Sequence, residues 1–309
     1  AIAGVSLSIA TRTQALGAMA EDPGLHWWLL PGNHDSLRAE TLWGEVARAA
    51  SNIHALLEPT PVRLAEDVTL LPAPVRMRQG HGDPTGWFHS GSGLTIGLAH
   101  GSVRRFGSSD TGPVIAPDRA ERAGLAYLAL GDWHGAQEVG PRAWYAGTPE
   151  RDGFPQADGA PTRGLCLSVT VTGPETAEVA PVEIGRFDWR AMDLALLPGD
   201  DPARRLAERL PNGAARDTLL RIDASGRASA AAHAALAAAA KATAPAFARF
   251  ELRTDRLAVD LDSADLDELA GPLRPIAEDL AAEAAGEGRD AEIAAAALVR
   301  LVAMARALP

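Results

Sequence analysis

The chain has 309 residues, a net charge of −11 and 5% aromatic residues, which suits one large or two medium domains with a sizeable core. The acidic balance argues against a broad, sequence-independent grip on DNA or RNA, although a local arginine patch is compatible with it. The single cysteine, Cys166, excludes an intrachain disulfide and a multi-cysteine metal site, and no run of ~18 apolar residues marks a membrane span.

Neither an initiator Met nor a charged leader opens the chain, so no signal peptide is expected. The start reads as an interior position of a longer protein, and the cytoplasm is the default compartment. Leu7, Ile9, Ala10, Leu16 and Met19 recur at helical spacing over 6–20, and Glu21-Asp22-Pro23-Gly24 stops that helix. His26–Leu30 reads as a short strand, followed by the loop Pro31-Gly32-Asn33-His34. Asp35 or Ser36 is the expected cap of a second helix reaching about Ala50. Strands are expected near Ile53–Leu57, Val62–Leu64 and Val68–Leu71. A Gly/Ser-rich loop covers 79–93. Leu94–Leu98 is then a buried strand delivering His100, Pro117 opens a helix through Arg122, and Tyr127–Leu130 is a strand delivering Asp132 and His134.

This alternation predicts an α/β layer whose polar residues collect at strand C-termini, where open α/β sheets place their ligands. After Gly164 the texture turns β-rich, with Leu165–Val171, Val179–Ile184 and Phe187–Leu196. A boundary near Gly185 separates a smaller unit: strand Thr218–Asp223, alanine-rich helix Ser229–Ala242, strand Arg249–Val259, and helices to Leu308. The expected domains are 1–185 and 186–309. Cys166, in a strand pattern, reads as a packing residue.

Four polar strings follow apolar runs: Leu-Pro-Gly-Asn-His-Asp at 30–35, His-Gly at 100–101, Leu-Gly-Asp-Trp-His-Gly at 130–135 and Tyr-Ala-Gly-Thr-Pro-Glu at 145–150. Phosphodiester hydrolysis needs neutralised oxygen charge and a water deprotonated near pH 7. Two divalent ions ~3.5–4 Å apart supply both, and such a pair takes carboxylate, imidazole and amide-oxygen ligands. Asn33 can lend its carbonyl oxygen to one ion, with His100 completing that side. Asp132 and His134, two apart on an extended exit, would face one side and reach different ions. His34 is better placed to stabilise the transition state or protonate the leaving oxygen. Each string alone reads equally as a turn, a helix cap or a packed histidine; three strands ending this way in this order favour a metal site. Arg104 and Arg105 read either as phosphate contacts or as solvated loop charge.

These strings resemble the calcineurin-like metallophosphoesterases, and within them the SbcD-type DNA-repair exonucleases. The resemblance rests on Leu-Pro-Gly-Asn-His-Asp-Ser at 30–36, His-Gly at 100–101, Tyr-Leu-Ala-Leu-Gly-Asp-Trp-His-Gly at 127–135 and Trp-Tyr-Ala-Gly-Thr-Pro-Glu at 144–150. It implies layered β-sheets flanked by helices over 1–185, incomplete at the N-terminus, and a smaller α+β capping and partner-binding domain over 186–309. It implies Asn33 and His100 as ligands of one metal, His134 as a ligand of the other, and His34 as the transition-state histidine. Asp132 stands where the family has the first histidine of Gly-His-x-His, a change that favours a harder ion. Two divalent ions are implied, Mn2+ foremost and Mg2+ next. DNA and an SbcC-type ATPase docked through C-terminal segments are the implied partners, with a homodimer left open and no membrane partner. The family's opening Asp-x-His and Gly-Asp strings do not occur before Asn33, so an impaired or silent enzyme is expected of this chain. A phosphodiesterase for small nucleotides and a non-catalytic scaffold are the alternatives.

Overall fold

The computed structural model describes residues 8–76, 82–103, 114–155, 160–212, 215–260, 269 and 271–307. The protein is mixed α/β and folds as two compact units, Ala1–Glu150 with Gly164–Gly185, and Arg151–Arg163 with Arg186–Pro309. The second unit thus takes in a segment that lies before the residue-185 boundary. Local contacts give the reason: Trp189 N donates to Thr162 O at 2.8 Å, and Phe154 meets the Trp189 ring edge-on at a 5.1 Å centroid distance.

In the first unit, helix α1 (Ile9–Ala20) begins where the Ser8 hydroxyl accepts from Thr11 N, satisfying one of the free amides of a helix start. It carries no fully buried residue of its own, but Leu16, Met19 and Ala20 pack against the cluster of Leu42, Trp43, Val46 and Ile53, and Arg12 places Nε and Nη2 on the two oxygens of Glu45 at 2.8 and 3.1 Å. Glu45 lies in α2 (Glu40–Val46). The short strands β1 (Trp27–Leu29) and β2 (Ile53–Ala55) pair in parallel. Buried Asn52 sends Nδ2 to the carbonyls of Met19, Asp22 and Leu25, stitching the turn after α1 to the start of β2. Helix α2 is shorter than the 36–50 expected and starts later, with Ala39 at its cap and no side-chain capping bond. The Asp35 carboxylate is taken by Gly32 N at 2.7 Å, so it closes the loop before it rather than capping the helix.

The site is positioned by one sheet. Among the described residues it runs β3 (Val62–Ala65), β4 (Val68–Ala73), β5 (Leu94–His100), β8 (Tyr127–Gly131), β10 (Ala143–Tyr145) and β9 (Gln137–Gly140), in that spatial order. The central pairs β4–β5, β5–β8 and β8–β10 are parallel, so four chain exits leave at one edge. Register sets His100 beside Gly131 and Tyr145 beside Leu130. Alternate β5 residues Thr95, Gly97 and Ala99 are buried, as the period of a strand requires. Leu71, Ile115, Leu125, Leu128 and Tyr145 form the core around them with Phe88. Each fully buried leucine or isoleucine there contributes roughly 1.5–3 kcal/mol. A parallel two-residue pair, β6 (Ser102–Val103) with β7 (Val114–Ile115), extends the β5 exit. Helix α3 (Arg119–Arg122) precedes β8. The loop after β1 is tied to the end of β4: Val75 N donates to Pro31 O, and Leu37 N to Val75 O, both at 3.1 Å. An antiparallel pair, β11 (Leu165–Gly173) and β12 (Thr176–Glu183), completes the unit. Cys166 on β11 is half-buried and free.

The second unit has its own parallel sheet of β13 (Asp188–Leu196), β14 (Thr218–Ser229) and β15 (Arg249–Asp260), with β14 central. Its inward face, Leu194, Leu196, Leu220, Ile222 and Ala224, packs with Leu206 of α4 (Pro202–Arg209) and Leu236 of α5 (Ala230–Thr243). The Asp201 carboxylate accepts from Ala203 N and Arg204 N to start α4, with Pro202 in the first turn. Ser229 caps α5 in the same way. Helices α6 (Leu273–Ala284) and α7 (Arg289–Ala307) close a further cluster around Ala230, Ala277, Leu298 and Val302. Among the described residues no helix is long and apolar enough to cross a membrane.

Candidate metal centre

His100 is the last residue of β5, and its imidazole lies against two glycine backbones. A Cβ on Gly32 would come 2.8 Å from the ring's Cε1 and 2.9 Å from Nδ1, and a Cβ on Gly131 would come 3.0 Å from Nδ1. Glycine at both positions therefore lets the β1 exit loop and the end of β8 close on the ring, since any side chain would fall within contact distance. Nε2 is buried without a hydrogen-bond partner. It stands 3.5 Å from Oδ1 of Asp132, close enough for an ion pair but out of line for a hydrogen bond.

Asp132 is the centre of the group. Asn33 Nδ2 donates to its Oδ1 at 3.0 Å across a separation of 99 residues, and Ser102 Oγ donates to Oδ2 at 2.9 Å. The backbone of Asp132 has φ +116°, the single positive value off glycine among the described residues. Such a conformation costs of order 1–3 kcal/mol and persists where surrounding contacts impose it. The neighbouring His100 imidazole, then the Ser102 hydroxyl, the charge on His100 and the Asn33 amide hold the Asp132 carboxyl below the usual range, against burial, which raises it. The side chain is thus an anion at neutral pH and well into acid.

Tyr145 supports the group from β10. Its hydroxyl, buried, donates to Gly101 O at 2.7 Å and accepts from Val103 N at 2.8 Å, fixing the turn between His100 and Ser102.

Of the residues singled out by sequence, Asn33, His100 and Asp132 meet; His34 and His134 are exposed. Among the described residues no three His, Cys, Asp or Glu side chains converge as a metal-holding group, so neither of those histidines joins His100 and Asp132 in one. Asp132 is half-buried in the cluster, whereas His134, two residues on, is exposed. Strand β8 ends at Gly131, and Asp132 takes a positive φ just beyond it. Arg104 and Arg105 lie outside the described residues. Ser102 and Tyr145 are the partners that sequence reasoning did not assign. Their signal was adjacency alone: Ser102 two residues after His100, Tyr145 at the head of the fourth polar string.

The donor types gathered here, an imidazole nitrogen, a carboxylate and an amide oxygen, are ones that divalent cations take. The buried Nε2 of His100 and the Asp132 carboxylate face each other, and Asn33 spends its amide nitrogen on Asp132 while its carbonyl oxygen, the atom that ligates cations, stays outside that bond. Mixed N and O donors of this kind suit Mn2+ or Mg2+ with water completing the shell. Compared with models of known protein families and with curated proteins, the chain matches none.

Proposed function

We propose that the protein is a metal-dependent phosphoesterase of the calcineurin-like type, acting on phosphodiester bonds in DNA. The observation that carries this reading is the meeting of Asn33, His100 and Asp132 at the exits of parallel strands, around an imidazole nitrogen left without a partner. When bound, a divalent cation supplies neutralisation of phosphate oxygens and acidification of water. His100 and Asp132 hold that charge, with Asn33 as the third donor. Ser102 keeps the Asp132 carboxylate oriented, and Tyr145 keeps Ser102 in reach. His34 follows Asn33 directly and is open to solvent, so it serves as the group that gives a proton to the leaving oxygen. His134 is the donor assigned to a second ion.

The branch-specific strings, above all Tyr145-Ala146-Gly147-Thr148-Pro149-Glu150 after the site, favour DNA as substrate. They carry with them an ATPase partner of the SbcC type. The net charge of −11 favours the second reading, a phosphodiesterase for small nucleotides, because a long polyanion is repelled where a mononucleotide is much less so. This chain, without the opening Asp-x-His and Gly-Asp strings, is expected to be impaired or silent; a protein extended upstream to carry them is expected to release nucleotides from linear duplex DNA in a manganese-dependent way. His34→Ala should lower turnover by about 10²–10⁴-fold, the usual contribution of a general acid, while bound manganese stays near the wild-type level. Hydrolysis confined to cyclic nucleotides or bis-aryl phosphates would replace the DNA reading with the second one.

A further inference from the structure

His26 and His54 take no part in the centre described above. His26 precedes β1 and is exposed, whereas His54 lies in the middle of β2, half-buried, in register with Trp28. Nδ1 of His26 and Nε2 of His54 stand 2.9 Å apart. Their ring centroids are 5.2 Å apart with planes 13° from parallel. That separation equals the nitrogen gap plus the two ring radii, so the imidazoles meet edge to edge in nearly one plane. Trp28 lies over one face of His54, at 4.0 Å between centroids and 17° between planes, which limits how far that ring can swing. Burial, and secondarily the neighbouring His26, push the His54 pKa down. The neutral ring, the form that offers a lone pair, is therefore favoured.

The geometry points to a surface site for a divalent transition-metal ion of the Cu2+ or Ni2+ type, chelated by Nδ1 of His26 and Nε2 of His54. Two imidazole nitrogens 2.9 Å apart are near enough for both to reach one ion at the usual bond length of ~2.0–2.1 Å after a modest ring movement. Imidazole donors suit Cu2+ and Ni2+, which such sites bind more tightly than the earlier divalent ions of the first row. Trp28 holds the His54 ring, so the exposed His26 is the one that swings aside and brings its Nδ1 lone pair onto an ion at His54 Nε2. One facing nitrogen carries the proton that the pair now shares; on binding it passes through solvent to the other nitrogen of the same ring. The neutral pair therefore takes up the ion without net proton loss. Water completes the coordination, as the exposure of His26 allows.

The probe that isolates this arrangement is Ni2+ held by nitrilotriacetate, which leaves two adjacent positions open and is too bulky for the half-buried centre at His100. Calorimetric titration of the untagged chain should show one such complex bound per molecule. His26→Ala should weaken it roughly a hundredfold, because the second imidazole contributes through its high effective concentration. His54→Phe, which keeps a ring on Trp28, should do the same. Binding by either variant at the wild-type level, or no binding by the wild type, overturns the site.

Discussion

At the scale of single residues, the candidate centre depends as much on what is absent as on what is present. Gly32 and Gly131 carry no ligand atoms, yet His100 sits where their side chains would be. Gly32→Ala places a methyl group 2.8–2.9 Å from a ring that Gly131 already confines from β8. The ring must move, and overpacking of this sort costs typically 1–3 kcal/mol. A lower urea-unfolding midpoint, corresponding to that loss of unfolding free energy, together with loss of manganese binding, is the expected result. An unchanged midpoint with normal metal content would show that His100 has room the packing denies it. The pattern Pro-Gly-Asn-His-Asp marked Gly32 as a turn residue, but only the fold shows the turn pressed against a histidine from a strand 68 positions later, so the distance in sequence hid the reason for the glycine.

At the scale of elements, the site is an arrangement of strand exits. Parallel pairing of β5, β8 and β10 sets His100, Gly131 and Tyr145 along one edge, and the Tyr145 hydroxyl then clamps the β5–β6 turn from both sides. Tyr145→Phe removes both hydrogen bonds and leaves the ring in the core. Each bond contributes about 0.5–1.5 kcal/mol net, so a loss of about 1–3 kcal/mol in unfolding free energy is expected. Manganese affinity should fall with it, because Ser102 is no longer held against Asp132. Strand β5 and the end of β8 were legible from their apolar runs, and the polar residues after them marked the exits. Strands β9 and β10 and helix α4 were not read. The first two are four and three residues long, too short for a periodic signal, and owe their existence to pairing with β8 and with each other. The Asp201-Pro202 start of α4 is a local capping signal that sequence does contain. Asp35 offered the same signal, but Gly32 N took its carboxylate; a cap is decided by which amide reaches the side chain first.

For the whole molecule, two units with separate cores divide the chemistry: the candidate centre lies in the first, and the second carries a buried titratable group of its own. His233 on α5 is 8% exposed, and burial pushes its pKa down, outweighing a weak contact to Ala258 O at 3.5 Å. With the folded-state pKa below the unfolded value near 6.5, the folded unit binds fewer protons. Its stability is fully present above about pH 6.5 and is lost as pH falls toward the folded pKa, by no more than about 1.4 kcal/mol per pH unit for one proton. Thermal unfolding of the second unit should therefore drop between pH 6.5 and 5, and His233→Gln should flatten that slope. An equal slope in the variant would place the acid sensitivity elsewhere.

Sequence by itself determined the mixed α/β class, most strands of the first unit and the identity of the ionisable groups at their ends, because apolar runs and polar exits are written locally. Tertiary structure alone decided which of those groups share a site. Asn33 reaches Asp132 because the β1 exit loop is bonded to the end of β4. Long-range pairing and backbone torsion leave no mark in a linear pattern, so the partnership of Asp132 with Ser102, and of His26 with His54, became visible only once the chain was folded.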